Sequence, residues 1–155
     1  MNIADLLAPA DVCCGLKTTG RKRLLSELSA IAARGIDVEQ GLVFEAVWER
    51  EMLGSTAVGR GVAIPHGRLV QATRIRGVFA TLHTPVDFKA VDDVPVDLVF
   101  LLVTPSGAGA DHLKALALVS RLLRQAGLCE RLRAAENADV IYSLLTEPPA
   151  GFRAA

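Results

Sequence analysis

Two short runs of almost continuously apolar residues place the strongest constraint on the fold of this chain. They span Gly77–Thr84 and Val96–Thr104, and both are rich in β-branched side chains. A strand with one face in water alternates apolar and polar residues, whereas a strand buried on both faces does not. We therefore predict that both runs are interior strands of one sheet covered by helices.

Apolar residues at helical spacing precede these strands in two segments. Gly20–Arg34 carries such a stripe and predicts a helix that ends at Gly35. Asp37 can cap a second helix that runs to about Leu53, where Gly54 stops it. The chain before the strands is therefore predicted to be mainly helical.

Two further helices are predicted after the strands. Asp111–Ala126 has an inward apolar stripe that begins at His112, and Gly127 is expected to end this helix. Asn137 can cap a last helix that reaches Leu145. Two helices, then several strands, then helices is the order expected of a single-domain α/β sandwich.

Length and charge argue against several classes of protein. The 155 residues include 17 Lys and Arg and 17 Asp and Glu, and zero net charge gives no support for a nucleic-acid or membrane-surface partner. No apolar stretch approaches the ~20 residues of a membrane span, and no signal peptide is recognisable. We predict one domain over residues 1–147 and a loose tail over residues 148–155.

The three cysteines do not indicate a metal or redox site. Cys13, Cys14 and Cys129 match no zinc or redox spacing. Neighbouring residues of a strand point to opposite faces, so the adjacent pair is poorly placed to form a disulfide. Reduced cysteines in a cytoplasmic protein are the simplest interpretation.

A glycine-rich segment presents one histidine. His66 lies between Pro65, which restricts φ, and Gly67, which frees the backbone. Three further glycines precede it at positions 54, 59 and 61. Imidazole has an unperturbed pKa of ~6.5, so it is mostly neutral and nucleophilic in the cytosol. The alternative is an ordinary exposed histidine in a turn.

Two more residues could assist His66 with an anion. Arg50 ends the apolar face of the second predicted helix, where it either extends toward solvent or binds an anion. His112 lies in the first turn of a helix, a position that favours anions, although it could simply fill the helix start. Together the three residues suit a phosphoryl group attached to His66.

Other kinds of site have weaker support. Gly59-x-Gly61 lacks the lysine of a P-loop and the third glycine of a dinucleotide fingerprint. His66, His83 and His112 have no ligand-like spacing, so no metal and no cofactor are expected. No Gly-x-Ser-x-Gly elbow is present, which disfavours a serine hydrolase.

The segment over residues 50–67 resembles a known phosphorylation motif. It reads Arg-Glu-x-x-Gly-Ser-Thr-x-x-Gly-x-Gly-x-Ala-Ile-Pro-His-Gly. This is similar to the signature of mannitol/fructose-type IIA domains of the bacterial phosphotransferase system, and most of all to their nitrogen-regulatory branch. Weaker matches extend the resemblance over most of the chain, at Pro95–Phe100, His112–Leu116 and Cys129–Ala135.

The resemblance implies a fold and a set of site residues. The fold would be an α/β/α sandwich whose mixed sheet carries helices on both faces. His66 would be the phosphoacceptor, and Arg50 and His112 would contact the phosphate. Ser55 and Thr56 match the hydroxyl positions of the motif and would also bind phosphate.

The function implied is that of a cytoplasmic phosphocarrier. His66 would accept a phosphoryl group from an HPr-like phosphohistidine protein, and regulatory targets would read its phosphorylation state. Such a protein is a carrier with a phosphohistidine intermediate and not a self-contained turnover enzyme. The target, the oligomeric state and the modified ring nitrogen of His66 stay open.

Two alternatives also stay open. A sugar-transport IIA component would use the same chemistry and pass the phosphoryl group to a fructose- or mannitol-type IIB domain. A non-catalytic binding module on the same fold would not use His66 chemically, although the presence of Arg50 and His112 argues against it.

Overall fold

The computed structural model describes residues 1–147, and the tail predicted over residues 148–155 lies outside this range. The strands are β1 (Val12–Leu16), β2 (Ala57–Gly59), β3 (Val62–Ala63), β4 (His66–Leu69), β5 (Arg76–Val86) and β6 (Val96–Pro105). The helices are α1 (Ile3–Leu6), α2 (Arg21–Ile36), α3 (Gln40–Leu53), α4 (Ala110–Leu122), α5 (Ala126–Ala134) and α6 (Ala138–Thr146). A 3-10 turn, Pro9–Asp11, precedes β1.

The six strands form one mixed sheet. Its order is β1-β5-β6-β3-β2, and β4 also pairs with β6 beyond β3. β5 and β6 are antiparallel to each other, while β1 runs parallel to β5 and β3 and β4 run parallel to β6. The two apolar runs are therefore interior strands, as their composition predicts.

Helices cover both faces of this sheet, so the predicted single-domain sandwich is confirmed. Residues of β6 alternate between two cores: Val99 and Leu101 face α2 and α3, whereas Phe100 and Leu102 face α1, α4, α5 and α6. All four side chains are fully buried. Burial on both faces removes the need for a polar alternation along the strand.

The prediction for the end of the first helix is wrong. α2 continues through Gly35 to Ile36, and Asp37 ends it in the left-handed conformation with φ 53°. Gly35 instead allows a close approach, because a Cβ there would lie 2.6 Å from Nε of Arg76. Asp37 consequently does not cap the next helix, whose N-cap is Glu39, while Gly54 follows its last residue as predicted.

The long helix predicted over residues 111–126 is two helices. α4 ends at Leu122, and Gly127 lies inside α5 instead of ending a helix. The turn between them lets Leu128 and Leu132 join the same core as Val119. The apolar spacing continues through the turn, so the periodicity did not reveal it.

The predicted cap of the last helix and the opposite orientation of the adjacent cysteines are confirmed. Asn137 caps α6 by accepting a hydrogen bond from the Val140 N–H at 2.9 Å. Cys13 and Cys14 pack toward opposite cores, and they and Cys129 are free thiols. Within residues 1–147, no helix is long and apolar enough to cross a membrane.

Candidate functional site

His66 opens β4 at the margin of the sheet. It pairs in register with Leu102 of β6, and its side chain is half-buried. Its Nδ1 lies 2.9 Å from the Ile64 carbonyl oxygen. A carbonyl oxygen can only accept, so Nδ1 carries the proton of the neutral ring and Nε2 keeps a free lone pair.

Burial favours the neutral form of His66. Loss of water around the ring lowers its pKa below the ordinary value, and the positive charges of Arg50 and Arg68 act in the same direction. The hydrogen bond to Ile64 and the charge of Glu51 oppose this effect. The ring is therefore neutral, and nucleophilic at Nε2, near pH 7.

Gly67 brings α3 close to the histidine. A Cβ at this position would lie 3.0 Å from the Val47 backbone nitrogen and 3.1 Å from the Ala46 side chain. The glycine therefore serves close packing of β4 on α3, and not the backbone freedom expected of it. Gly59 and Gly61 do adopt positive φ angles, 95° and 79°, in the hairpin that precedes the site.

His112 lies beside His66. It occupies the first turn of α4 and is only 5% exposed, and the centroids of the two rings are 5.6 Å apart. Its Nδ1 lies 2.6 Å from the Thr104 hydroxyl oxygen. Burial lowers the pKa of His112, with smaller contributions in the same direction from Arg68 and His66.

Arg50 lines the same cleft. A cavity of about 410 Å³ is bounded by Arg50, His66, Arg68 and His112, together with Glu49 and apolar parts of α3. Nη1 of Arg50 donates to the Gly54 carbonyl at 2.8 Å, and no acceptor within residues 1–147 occupies its other guanidinium N–H groups. The three residues that the sequence singles out for phosphate chemistry thus meet in one cleft.

Ser55 and Thr56 lie on an adjoining cavity that Arg50 and His66 also line. Their hydroxyl groups have protein partners. The Ser55 hydroxyl donates to the Phe88 carbonyl, and the Thr56 hydroxyl donates to a carboxylate oxygen of Glu51. These contacts hold the loop between α3 and β2.

Glu51 is a residue of the site region for which the sequence predicts no separate role. It is 1% exposed, accepts from the Thr56 N–H at 3.0 Å, and pairs with Nη1 of Arg21 at 3.3 Å. The available signal was its position, because Val43, Val47 and Glu51 recur every four residues on the buried face of α3. A carboxylate on such a stripe needs a partner.

The remaining histidine and a wider cleft lie elsewhere. His83 is exposed on β5 and lines neither cavity of the site. Among residues 1–147, no group of three or more His, Cys, Asp or Glu side chains could hold a metal ion. A wider cleft of about 820 Å³ at the start of α2 contains none of the predicted site residues.

Known proteins are similar to this chain over most of its length. Residues 6–147 match the family model described as phosphoenolpyruvate-dependent sugar phosphotransferase system, EIIA 2. The nitrogen regulatory protein of Bradyrhizobium diazoefficiens is 52% identical over 97% of this chain and 98% of its own length. The fructose-specific EIIA component of Haloferax volcanii is 34% identical over 83% of this chain and 82% of its own length.

A solved structure agrees with these sequence matches. The nitrogen regulatory protein IIA-Ntr of Neisseria meningitidis superposes with a TM-score of 0.88 at 33% identity, covering 93% of this chain and 99% of that one. The chain is more similar to the Bradyrhizobium nitrogen regulatory protein than to the Haloferax fructose-specific component, and it belongs to the EIIA 2 family of the phosphoenolpyruvate-dependent sugar phosphotransferase system.

Proposed function

We propose that this protein is a nitrogen-regulatory phosphocarrier in which Nε2 of His66 accepts a phosphoryl group. The observation that carries the proposal is the hydrogen bond from Nδ1 to the Ile64 carbonyl, which leaves Nε2 unprotonated in a cationic cleft. The group donor is a phosphohistidine on an HPr-like protein.

The transfer is an exchange between two imidazole rings. The N–P bond to the donor ring breaks, a P–N bond to Nε2 of His66 forms, and the electron pair of the broken bond stays on the donor nitrogen. His66 keeps its Nδ1 proton, so the phosphorylated ring is cationic. Its N–H continues to donate to the Ile64 carbonyl, which stabilises that charge.

Positioning and charge supply the catalysis. The free N–H groups of Arg50 can bind two phosphoryl oxygens at once, and Arg68 adds a second positive charge to the cleft. His112 contributes a second imidazole ring, whose centroid lies 5.6 Å from that of His66. In-line transfer between two nitrogens needs a held phosphoryl group more than it needs an acid or a base.

Ser55 and Thr56 contribute to the site by holding the loop. A direct contact of either hydroxyl with phosphate stays a prediction. In the structure both hydroxyls donate to protein acceptors. A fixed loop keeps the end of α3, and with it Arg50, in place beside His66. This indirect role is what their hydrogen bonds support.

Regulation is favoured over sugar transport by the similarities to known proteins. The nitrogen regulatory protein of Bradyrhizobium diazoefficiens is 52% identical, against 34% for the fructose-specific component of Haloferax volcanii. A phosphoryl group adds almost two negative charges to the cleft, enough to change which target proteins dock there. We further propose that the protein works in the cytoplasm, and the family's dependence on phosphoenolpyruvate supports this.

Intact-mass measurement after incubation with a phosphorylated HPr-like protein tests this function. The wild type should gain one acid-labile phosphoryl group, and His66→Ala should gain none. His83→Ala is the matched control, since it removes an exposed histidine outside the cleft and should be labelled like the wild type. Full labelling of His66→Ala would overturn the assignment, and rapid onward transfer to a fructose- or mannitol-type IIB domain would favour the transport alternative.

A further inference from the structure

Thr104 is a buried hydroxyl in an otherwise apolar strand. It lies near the end of β6, is 0% exposed, and is two residues from Leu102, whose in-register neighbour is His66. Side chains two residues apart share a face of a strand, so Thr104 lies on the α4 side of the sheet. There its Oγ1 meets Nδ1 of His112 at 2.6 Å.

The proton in this hydrogen bond can be placed by counting partners. Within residues 1–147, His112 is the sole hydrogen-bond partner found for the Thr104 hydroxyl. If Nδ1 donated to Oγ1, the threonine proton would be buried without an acceptor, which is costly. The hydroxyl therefore donates to Nδ1, and the proton of the neutral His112 ring lies on Nε2.

We propose that Thr104 is a positioning residue that fixes His112 as the Nε2–H tautomer, so that a neutral N–H group is aimed at the phosphoryl group on His66. This inference rests on the proposed phosphocarrier function. Both rings are oriented through Nδ1, but with opposite polarity. His66 donates to a carbonyl and exposes a lone pair, whereas His112 accepts from a hydroxyl and exposes a donor.

A neutral donor suits both states of the cleft. Before transfer, an N–H group on His112 does not add to the positive charge of Arg50 and Arg68. After transfer, it can donate to a phosphoryl oxygen without first being protonated. Without Thr104, the Nδ1–H tautomer would become accessible, and it would direct a lone pair at an anion.

Nitrogen-15 NMR of the imidazole rings tests the tautomer directly. In the wild type, His112 should show the Nε2–H pattern and His66 the Nδ1–H pattern. Thr104→Val keeps the shape of the side chain without the hydroxyl and should give His112 a mixture of tautomers. Thr104→Ser should restore the wild-type pattern. An Nδ1–H pattern at His112 in the wild type would overturn the proposal, with no variant needed.

Single-turnover transfer from the phosphorylated donor protein tests the consequence. Thr104→Val should slow transfer by about twofold to fivefold, in proportion to the fall in the population of the Nε2–H tautomer, and Thr104→Ser should recover most of the rate. Thr81→Val is the matched control: it removes a buried β5 hydroxyl that binds the Gly15 N–H, and it should leave the rate unchanged.

The two measurements together exclude a merely structural role. Slower transfer without a change of tautomer, or a change of tautomer without slower transfer, contradicts the proposal. If the wild type accepts no phosphoryl group, the proposed function fails, while the NMR pattern still decides whether Thr104 sets the tautomer.

Discussion

The two sides of the cleft hold their histidines by different means. On the α3–β4 side, His66 is oriented by a backbone carbonyl two residues earlier in the chain. On the α4 side, His112 depends on the side chain of Thr104, which belongs to a different element. A backbone partner is present in every variant, whereas a side-chain partner is lost with one substitution. Single substitutions can therefore change how the histidine is held on the α4 side.

If the α3–β4 side carries the reaction, Arg50→Ala should cause the largest loss of transfer rate. We expect transfer to slow about 100- to 1,000-fold, the range found when one preorganised charge-stabilising donor is removed. Arg50→Lys should recover only part of the rate, because lysine lacks the planar fork. Single-turnover transfer measures the rates, and melting curves should change little. Arg23→Ala, which removes an exposed arginine, is the control.

Two Glu–Arg pairs test whether Glu51 stabilises the α3–β4 side. Glu51–Arg21 and Glu27–Arg23 both have N–O distances of 3.3 Å, but the Glu51 side chain is buried and the Glu27 pair lies at the surface. Glu51→Ala should lower the free energy of unfolding by about 2–3 kcal/mol, since partly exposed Arg21 is left without its partner. Urea denaturation measures the loss.

The surface pair is the control for that measurement. Glu27→Ala should change the free energy of unfolding by less than about 0.5 kcal/mol, as is usual for exposed i,i+4 pairs. Equal losses in the two variants would mean that Glu51 is not a structural support of the loop.

The α4 side should respond more moderately to loss of its histidine. His112→Ala removes the N–H donor and should slow transfer about tenfold per folded molecule. His112→Gln keeps a donor and should lose less. Melting curves on the same variants separate this effect from packing. Unchanged transfer in both variants would make His112 a packing residue.

The smallest expected effect is the response to pH, which both sides share. Burial lowers the pKa of His66 and of His112 below the unfolded value, so the unfolded chain binds more protons than the native protein as the pH falls. This contribution to stability should be complete above about pH 6.5 and should decline as the pH falls below it. Urea denaturation of the wild type and of the His66→Gln/His112→Gln double variant measures it. A double variant with the same pH dependence as the wild type would contradict the prediction.

The two apolar runs predicted the interior strands β5 and β6, whereas β1 to β4 were not predicted individually. Continuous apolar composition identified β5 and β6. A strand that is buried on both faces is an unbroken run of apolar residues, and such a run can be recognised from the local sequence. The glycine signals were less reliable. Gly35 is required by the Arg76 side chain that packs over it, and Gly127 lies in a helix, so in neither case did a glycine mark a helix end.

The sequence by itself singled out His66 and Arg50, because one long local motif contains both residues and helical periodicity places Arg50 at the end of a buried helix face. Only the tertiary structure decided where the protons of the two imidazole rings lie and which side chains hold the site in place. Thr104 meets His112 across a strand, a loop and a helix, and Glu51 meets Arg21 across two helices. Periodicity reports which faces are buried, but a hydrogen bond depends on which polar groups face each other once the layers have packed.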